Sequence, residues 1–417
     1  MYIMSHILWS CFIGALILDF CQSERRIKDG QTLNTHKRYM VYLAKAPRSP
    51  QKYDAWICGG ALVTNWFVVS SAACVEDVRH MYVIAGYDKY VKPNELSNDK
   101  CTKTKKKRVV FTCVPRTYEL DYAKIEKWSL IDIAVLKVES SFDLADKSYE
   151  TDCTYIPATI PINYEPKFQE AGIDAIVMGW GHLKKWRGTK DRKDYNQEMI
   201  HYAPARIYNK NKCKEHYAEE MDQIIDKYMI CTYAAGNLDD NGEIIKKSRP
   251  LADGCVYQKV LIDGAEYLEC VNSNEEKVIT GSAETRRLSN VTLFGNQTFG
   301  TRRHGICQND HGGPLVTWVG SREVLIGVAS VFRVTDSLEC EGPYLFTSTQ
   351  CNGVFLDCVI NGESSEGRRH CNLPPRERGF DMVERRISWI NHPDGPADNE
   401  RIDKIRLRPQ IPIDRYG

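Results

Sequence analysis

The chain is 417 residues long, 42% hydrophobic and 27% charged, with a formal net charge of +1. That is enough apolar sequence for a large buried core, and the balanced charge gives no field that would gather nucleic acid or an anionic membrane. No nucleic-acid motif is evident, and nothing in the pattern asks for a metal or a cofactor.

Residues 1–23 read as a secretory signal peptide. The apolar run from Ile7 to Leu18 is too short to cross a bilayer, Asp19 ends it, and Cys21-Gln22-Ser23 puts small residues at the cleavage-defining positions. An uncleaved anchor is the alternative. Removing the segment takes Cys11 and Cys21 with it and leaves an even number of cysteines. In a secreted chain this implies a disulfide framework, and no C-x-x-C pair favours zinc.

Short Val-, Ile- and Tyr-rich runs bounded by turn residues follow at Arg38–Leu43, Gly60–Ser71, Met81–Gly86, Ile131–Val138, Ala175–Gly181 and Glu323–Phe332. Their length and composition predict half-buried antiparallel strands. A closing helix is expected from about Asp381, with Met382, Val383, Ile387 and Ile390 at helical spacing. The tail 396–417, with Pro393 ahead of it, is rich in proline and charge and is expected to be extended.

Two long insertions are expected, at about 233–304 and 349–379; long loops cost little when their ends already meet, and are more often functional than accidental. The first carries two sequons, Asn290-Val291-Thr292 and Asn296-Gln297-Thr298, which make Asn290 and Asn296 candidate glycosylation sites. The basic stretches Lys103–Arg108 and Lys184 to Lys193, the latter containing Trp186, are candidate contacts for a sulfated glycan; solvated loops have the same composition.

Three stretches carry the chemistry. They are Cys58-Gly59-Gly60-Ala61-Leu62 with Ser70-Ser71-Ala72-Ala73-Cys74, then Asp132-Ile133-Ala134-Val135-Leu136, then Cys307-Gln308-Asn309-Asp310-His311-Gly312-Gly313-Pro314-Leu315. Together they resemble the trypsin/chymotrypsin family of serine proteases, whose motifs are T-A-A-H-C, D-I-A-L-L and C-x-G-D-S-G-G-P-L. The resemblance runs from about Ile27 to His392. It implies an all-β fold: two packed antiparallel six-stranded β-barrels, chymotrypsin-like, with a C-terminal α-helix. One unit over 27–395 is expected, preceded by a short propeptide 24–26.

Laid over those motifs, the general base falls on Ala73 and the nucleophile on His311, leaving only the orienting carboxylate, Asp132. Acyl transfer needs an attacker, a base and donors for the oxyanion. Alanine cannot take a proton, and the Cys58 to Cys74 spacing matches the family without a gap, so no shift recovers a histidine. His80 lies beyond Cys74 and reads as an exposed loop residue. The oxyanion-forming positions are Asn309 and His311, with the Asn309 side chain expected to crowd the space of a substrate carbonyl. The pocket positions read Gly305, Ser330, Phe332 and Tyr344; the two aromatics stand where relatives have glycines, so the pocket is expected to be filled, either as plain core or as a reshaped surface for a partner. A buried carboxylate without a partner is costly. Either His311 reaches into the space at Ala73 to pair with Asp132, or Ser330 and backbone donors satisfy it.

The resemblance further implies disulfides Cys58–Cys74, Cys213–Cys231 and Cys307–Cys340. Cys101–Cys113 and Cys255–Cys270 read as local loop closures, with Cys153, Cys351, Cys358 and Cys371 left in one of three pairings. Arg26 followed by Ile27-Lys28-Asp29-Gly30 resembles the family's activation junction, in which a freed Ile27 amine would pair with Asp310; Ile27 as a plain first strand residue is the alternative. No disulfide-knotted regulatory module is expected ahead of it. The implied function is that of a secreted, non-catalytic homologue, a pseudoprotease of arthropod type, acting as cofactor, adaptor or decoy for a protein partner in an extracellular protease cascade. The rivals are a serine endopeptidase with displaced catalytic groups and a secreted glycoprotein binding module.

Overall fold

The computed structural model describes Gln31, Thr32, Asp191 and residues 36–49, 57–121, 123–188, 193–243, 305–362 and 371–401, together with the backbone of three strands within 256–282. The strands are β1 (Gln31–Thr32), β2 (Met40–Lys45), β3 (Ile57–Leu62), β4 (Phe67–Ser70), β5 (Met81–Ala85), β6 (Lys107–Pro115) and β7 (Ala134–Val138). Then come β8 (Asp174–Gly179), β9 (His201–Ile207), β10 (Met229–Ala234), β11 (Val256–Ile262), β12 (Ala265–Val271) and β13 (Lys277–Ser282). The last are β14 (Pro314–Val319), β15 (Arg322–Val334), β16 (Cys340–Ser348) and β17 (Met382–Arg386).

Two closed six-stranded antiparallel barrels result. β2 to β7 form the first, closed where β6 meets β7; β8, β9, β10, β16, β15 and β14 form the second, closed where β8 meets β9. Each barrel carries one extra strand, β17 on β6 and β1 on β9. Closure leaves few free edges to template aggregation. β11 to β13 make a separate three-stranded sheet inside the first insertion.

The barrels are locked by aromatic packing. The rings of Tyr42 and Trp180 meet edge to face at 5.1 Å, and the Trp180 indole donates to the Asp88 carbonyl at 2.6 Å. One apolar cluster runs from Met40 and Leu43 of the first barrel to Val316 and Leu325 of the second. At about 25 cal/mol per Å2, each such ring of about 200 Å2 contributes on the order of 5 kcal/mol.

Three local expectations need correction. The run Gly60–Ser71 is not one strand but two, β3 and β4, because Thr64 caps a turn, its hydroxyl accepting from Trp66 and Phe67 N–H at 3.1 and 3.0 Å. The closing helix is not at 381–390: that stretch begins as strand β17, whose five residues pair with Phe111–Pro115 of β6. Beyond β17, helical backbone appears among the described residues only at 398–401. Residues 393–401 are also not loosely extended, since Ala397 is fully buried and Asp398 N–H donates to Glu139 Oε2 at 2.9 Å.

Disulfides join Cys58–Cys74, Cys213–Cys231 and Cys307–Cys340. Cys101 pairs with Cys153, not with Cys113, because the helical turns Lys100–Lys105 and Ser148–Asp152 pack together. Cys358 pairs with Cys371, leaving Cys113 buried and Cys351 exposed as free thiols among the described residues. Cys255–Cys270, both sequons, the signal segment and Ile27 lie outside the residues whose side chains are described.

Candidate functional site

The cleft lies where the turn after β4, the segment before β7 and the loop before β14 converge. Ser71 caps helix α1 (Ala72–Asp77), accepting from Ala73 N–H at 3.1 Å, so Ala73, which the resemblance aligns with the general base, lies in the helix's first turn. Asp132 follows Ile131, a β-branched residue held at φ 55°. Left-handed backbone at such a residue costs on the order of 1–3 kcal/mol, so the surrounding packing sets the aspartate's place. The Thr347 hydroxyl, from β16, donates to the Asp132 carbonyl at 2.9 Å and ties it to the second barrel.

The loop bearing His311 is seated by close backbone contact. Gly59 N–H donates to the His311 carbonyl at 2.8 Å, and a Cβ on Gly59 would lie 2.7 Å from Gly313 Cα. Gly312, at φ 81°, turns the loop where any side chain would strike the Ser70 hydroxyl. The glycines of both motifs are what allow the loop and the first barrel to touch.

Asp132 is completely buried, and its carboxylate is fully engaged. Oδ1 accepts from the Ser71 hydroxyl at 2.6 Å and from Ala73 N–H at 2.9 Å, while Oδ2 accepts from the Ser330 hydroxyl at 2.7 Å. Burial raises its pKa, and these donors pull it back. Of the two ways to satisfy this carboxylate, the structure takes Ser330 and its neighbours: among the described residues no hydrogen bond or ion pair joins His311 to Asp132. The His311 ring instead lies between Trp128 and Phe332, with centroids 6.0 and 5.6 Å away, and its hydrogen-bonding contact is the Ser330 backbone. Burial pushes its pKa down to about 4, so the ring is neutral near pH 7.

Asn309 adopts φ 73°, and among the described residues neither its backbone N–H nor that of His311 meets a backbone acceptor. These are the two positions that the resemblance assigns to the oxyanion donors. The Asn309 side chain does not crowd them. It is buried, donating to Asn196 Oδ1 at 2.8 Å beside His182 Nε2 at 3.4 Å. The expected obstruction fails because this polar pair in the 181–200 loop gives the amide a better partner than the cleft does.

The side-chain pocket is filled. A Cβ on Gly305 would strike Tyr344 Cε2, and Tyr344 is itself buried in the second core. Phe332 stacks between His311 and Trp186, the latter at 5.8 Å. Trp128, Ser71 and Trp186 are cleft residues to which the motifs assigned no role in the cleft. Only Ser71, beside the base position and with a capping hydroxyl, carried a usable signal.

Asp310 lies behind the loop, its Oδ1 accepting from Gly181 N–H at 2.9 Å and its Oδ2 from Cys307 N–H at 3.0 Å. Burial raises its pKa to about 7. It borders a cavity of about 30 Å3 lined also by His201 and Tyr202, the residues that β1 pairs with. The basic stretches are largely committed. Lys105 pairs with Asp146 at 2.6 Å, Arg108 with Glu139 at 2.9 Å and Lys184 with Glu339 at 2.5 Å. Lys185 and Lys193 both lie over the Tyr195 ring, at 5.1 and 5.2 Å.

A family model described as Trypsin matches residues 27–242. Among curated proteins, venom serine protease 34 of Apis mellifera is 23% identical over 231 residues, 52% of this chain and 48% of that protein. Coagulation factor XI of Bos taurus is 23% identical over 211 residues, 50% of this chain and 29% of that protein. The chain thus spans half or less of the length of the curated relatives it matches. Among solved structures, neuropsin, a serine protease expressed in mouse brain, covers 79% of this chain and 98% of its own at 15% identity, with a TM-score of 0.44.

Proposed function

The chain belongs to the trypsin family, and from that premise we propose that it is a secreted pseudoprotease that works by binding a protein, as cofactor, adaptor or decoy in an extracellular protease cascade. One observation carries this reading. The cleft's only triad carboxylate spends its lone pairs on Ser71, Ala73 and Ser330, while the residue at the nucleophile position is a neutral imidazole packed between two rings. Position 311 carries no hydroxyl or thiol and position 73 no group that can take a proton. Loss of nucleophile or base alone costs about six decades in kcat in a protease dissected residue by residue. That is roughly 8 kcal/mol of barrier.

Secretion is supported by the signal-like segment and by the disulfides, which persist in oxidising compartments. No helix among the described residues is long and apolar enough to cross a membrane. The names of the relatives, a venom protease and a coagulation factor, fit an extracellular protein partner. Cleavage at Arg26–Ile27 is supported by β1, whose Gln31 and Thr32 pair with Tyr202 and His201, two residues that line the cavity beside Asp310.

The test is a fluorophosphonate probe and a peptide-hydrolysis assay on material freed of contaminating proteases. No labelling and no turnover are expected; stoichiometric labelling or turnover at enzymatic speed would favour the rival endopeptidase reading. N-terminal sequencing of the secreted protein should find Ile27 first.

A further inference from the structure

Residues 387–401 form a strap over the first barrel. Ile387 N–H donates to the Val110 carbonyl at 2.9 Å, and the fully buried Trp389 donates from its indole to the Val109 carbonyl at 2.8 Å. Two histidines clamp that indole. The rings of His80 and His392 lie 4.9 and 4.6 Å from Trp389 and 4.9 Å from each other. His80 Nε2 bonds the Ser388 carbonyl at 3.0 Å, and His392 Nε2 bonds the Pro47 carbonyl at 2.9 Å. His80 is therefore more than the exposed loop residue its sequence position suggested.

The hydrogen bonds fix the tautomer of His392. Carbonyls only accept, so Nε2 carries the proton given to Pro47; Nδ1 then accepts from Asp394 N–H, at 3.2 Å. A second proton has nowhere to go except Nδ1, where it would break that bond. The side chain is only 5% exposed. The cations nearby are Arg48 and Arg108, the latter stacked on Trp389 at 5.6 Å and donating to the Asp394 carbonyl at 2.7 Å. His80 faces it from the segment before β5. Of the carboxylates, Asp394 Oδ2 lies 3.9 Å from Nδ1, Glu139 is committed to Arg108 and Asp398 N–H, and Glu400 to Trp389 and Ala397 N–H.

We propose that His392 is the pin of a pH-sensitive latch: its protonation at Nδ1 loosens the strap 387–401 from the first barrel. Burial, opposed by the bond to Pro47 and aided by His80 and the two arginines, holds its pKa below the ordinary value of 6.5, so the docked strap favours the neutral ring. The sign follows. Docking is at full strength above that ordinary value and weakens as pH falls through it towards the lower docked value. If the freed ring titrates near 6.5, strap opening at pH 5.0 rises by up to roughly thirty-fold.

Hydrogen exchange of the full chain at pH 7.5 and 5.0, corrected for intrinsic rates, tests this. Strap amides around Ile387 and Trp389 should lose up to about thirty-fold in protection at pH 5.0 while β15 amides around Leu325 and Val328 hold theirs. In His392→Gln, whose amide can still donate to Pro47 but cannot titrate in this range, the pH effect should vanish. Equal strap protection at both pH values, or an undiminished loss in His392→Gln, would overturn the latch. Should that variant not fold, the wild-type imidazole resonance decides. Titration below 6.5 in step with strap exchange supports the proposal, and titration at 6.5 without a change in exchange overturns it.

Discussion

Ser330 Oγ donates a 2.7 Å hydrogen bond to Asp132 Oδ2 across the junction of the two barrels. The aspartate belongs to the first barrel, just ahead of β7, and the serine to β15 of the second. The carboxylate thus ties one barrel to the other, with Ser71 and Ala73 N–H completing its shell.

Ser330→Ala should therefore destabilise the protein. A hydrogen bond to a charged group contributes about 1.5–3 kcal/mol, and the acceptor left behind is fully buried. Urea unfolding at pH 8 should show a loss of that size, and Ser71→Ala a comparable one because that serine also caps α1. The loss should shrink at pH 3, where a protonated Asp132 no longer needs the donors. Wild-type stability in both variants would mean that the carboxylate finds other partners.

Placing the family's triad residues at positions 73 and 311 tests the proposed pseudoprotease reading. His311→Ser alone supplies an attacker without a base, and Ala73→His alone a base without an oxygen. Only the double variant should label with a fluorophosphonate, since the N–H groups of Asn309 and His311 already lack backbone acceptors among the described residues. Peptide turnover should stay slow even then, because Tyr344 fills the space beside Gly305. Labelling of His311→Ser to the same extent would show that a base other than residue 73 serves the cleft.

Asp310 and His311 pull stability in opposite directions over one pH window. The folded pKa of Asp310 is raised from 3.8 to about 7, so its contribution is fully present below 3.8 and lost as pH rises towards 7. His311 is lowered from 6.5 to about 4, so its contribution is present above 6.5 and lost as pH falls towards 4. At 1.36 kcal/mol per unit each is bounded at about 3–4 kcal/mol, and in the uncut wild type they largely cancel. Asp310→Asn should leave stability rising between pH 4 and 7, and His311→Gln should leave it falling. Parallel slopes in the two variants would refute the assignment. After cleavage at Arg26–Ile27 the sign for Asp310 should reverse, because a paired ammonium favours the carboxylate.

The motifs made the barrels legible because glycines, cysteines and the Asp132 segment are each demanded by close backbone contact or covalent geometry. What they missed depended on partners distant in sequence. Met382, Val383, Ile387 and Ile390 fit a helical spacing, yet β6 offers a free edge from Phe111 to Pro115, and tertiary pairing overrode the local pattern. The stronger signal was the alternation of Ile387 and Trp389, both buried, with Ile390 46% exposed. Asn309 was misjudged for a related reason, since nothing in its own loop announces Asn196 as a partner.

Cysteine pairing gives the sharpest covalent check. Spacing favoured the short Cys101–Cys113 loop, but the structure closes Cys101 on Cys153, at a sequence separation of 52. A loop of that length is worth about 4 kcal/mol in the chain-entropy account. Cys113, fully buried in β6, has its thiol pushed up to about 12 by burial and then by Glu384, so it is neither a thiolate nor accessible. Cys351 is exposed, with its Sγ donating to the Lys227 carbonyl at 2.6 Å. Among the described cysteines, native maleimide labelling should therefore modify Cys351 alone, and labelling in guanidinium should add Cys113. Cys101→Ser should free Cys153 and lower stability by about 4 kcal/mol while leaving Cys113 protected until unfolding. A Cys101–Cys113 crosslinked peptide in a non-reducing digest would contradict the helical-turn packing that brings Cys101 to Cys153, and with it the account of that side of the first barrel.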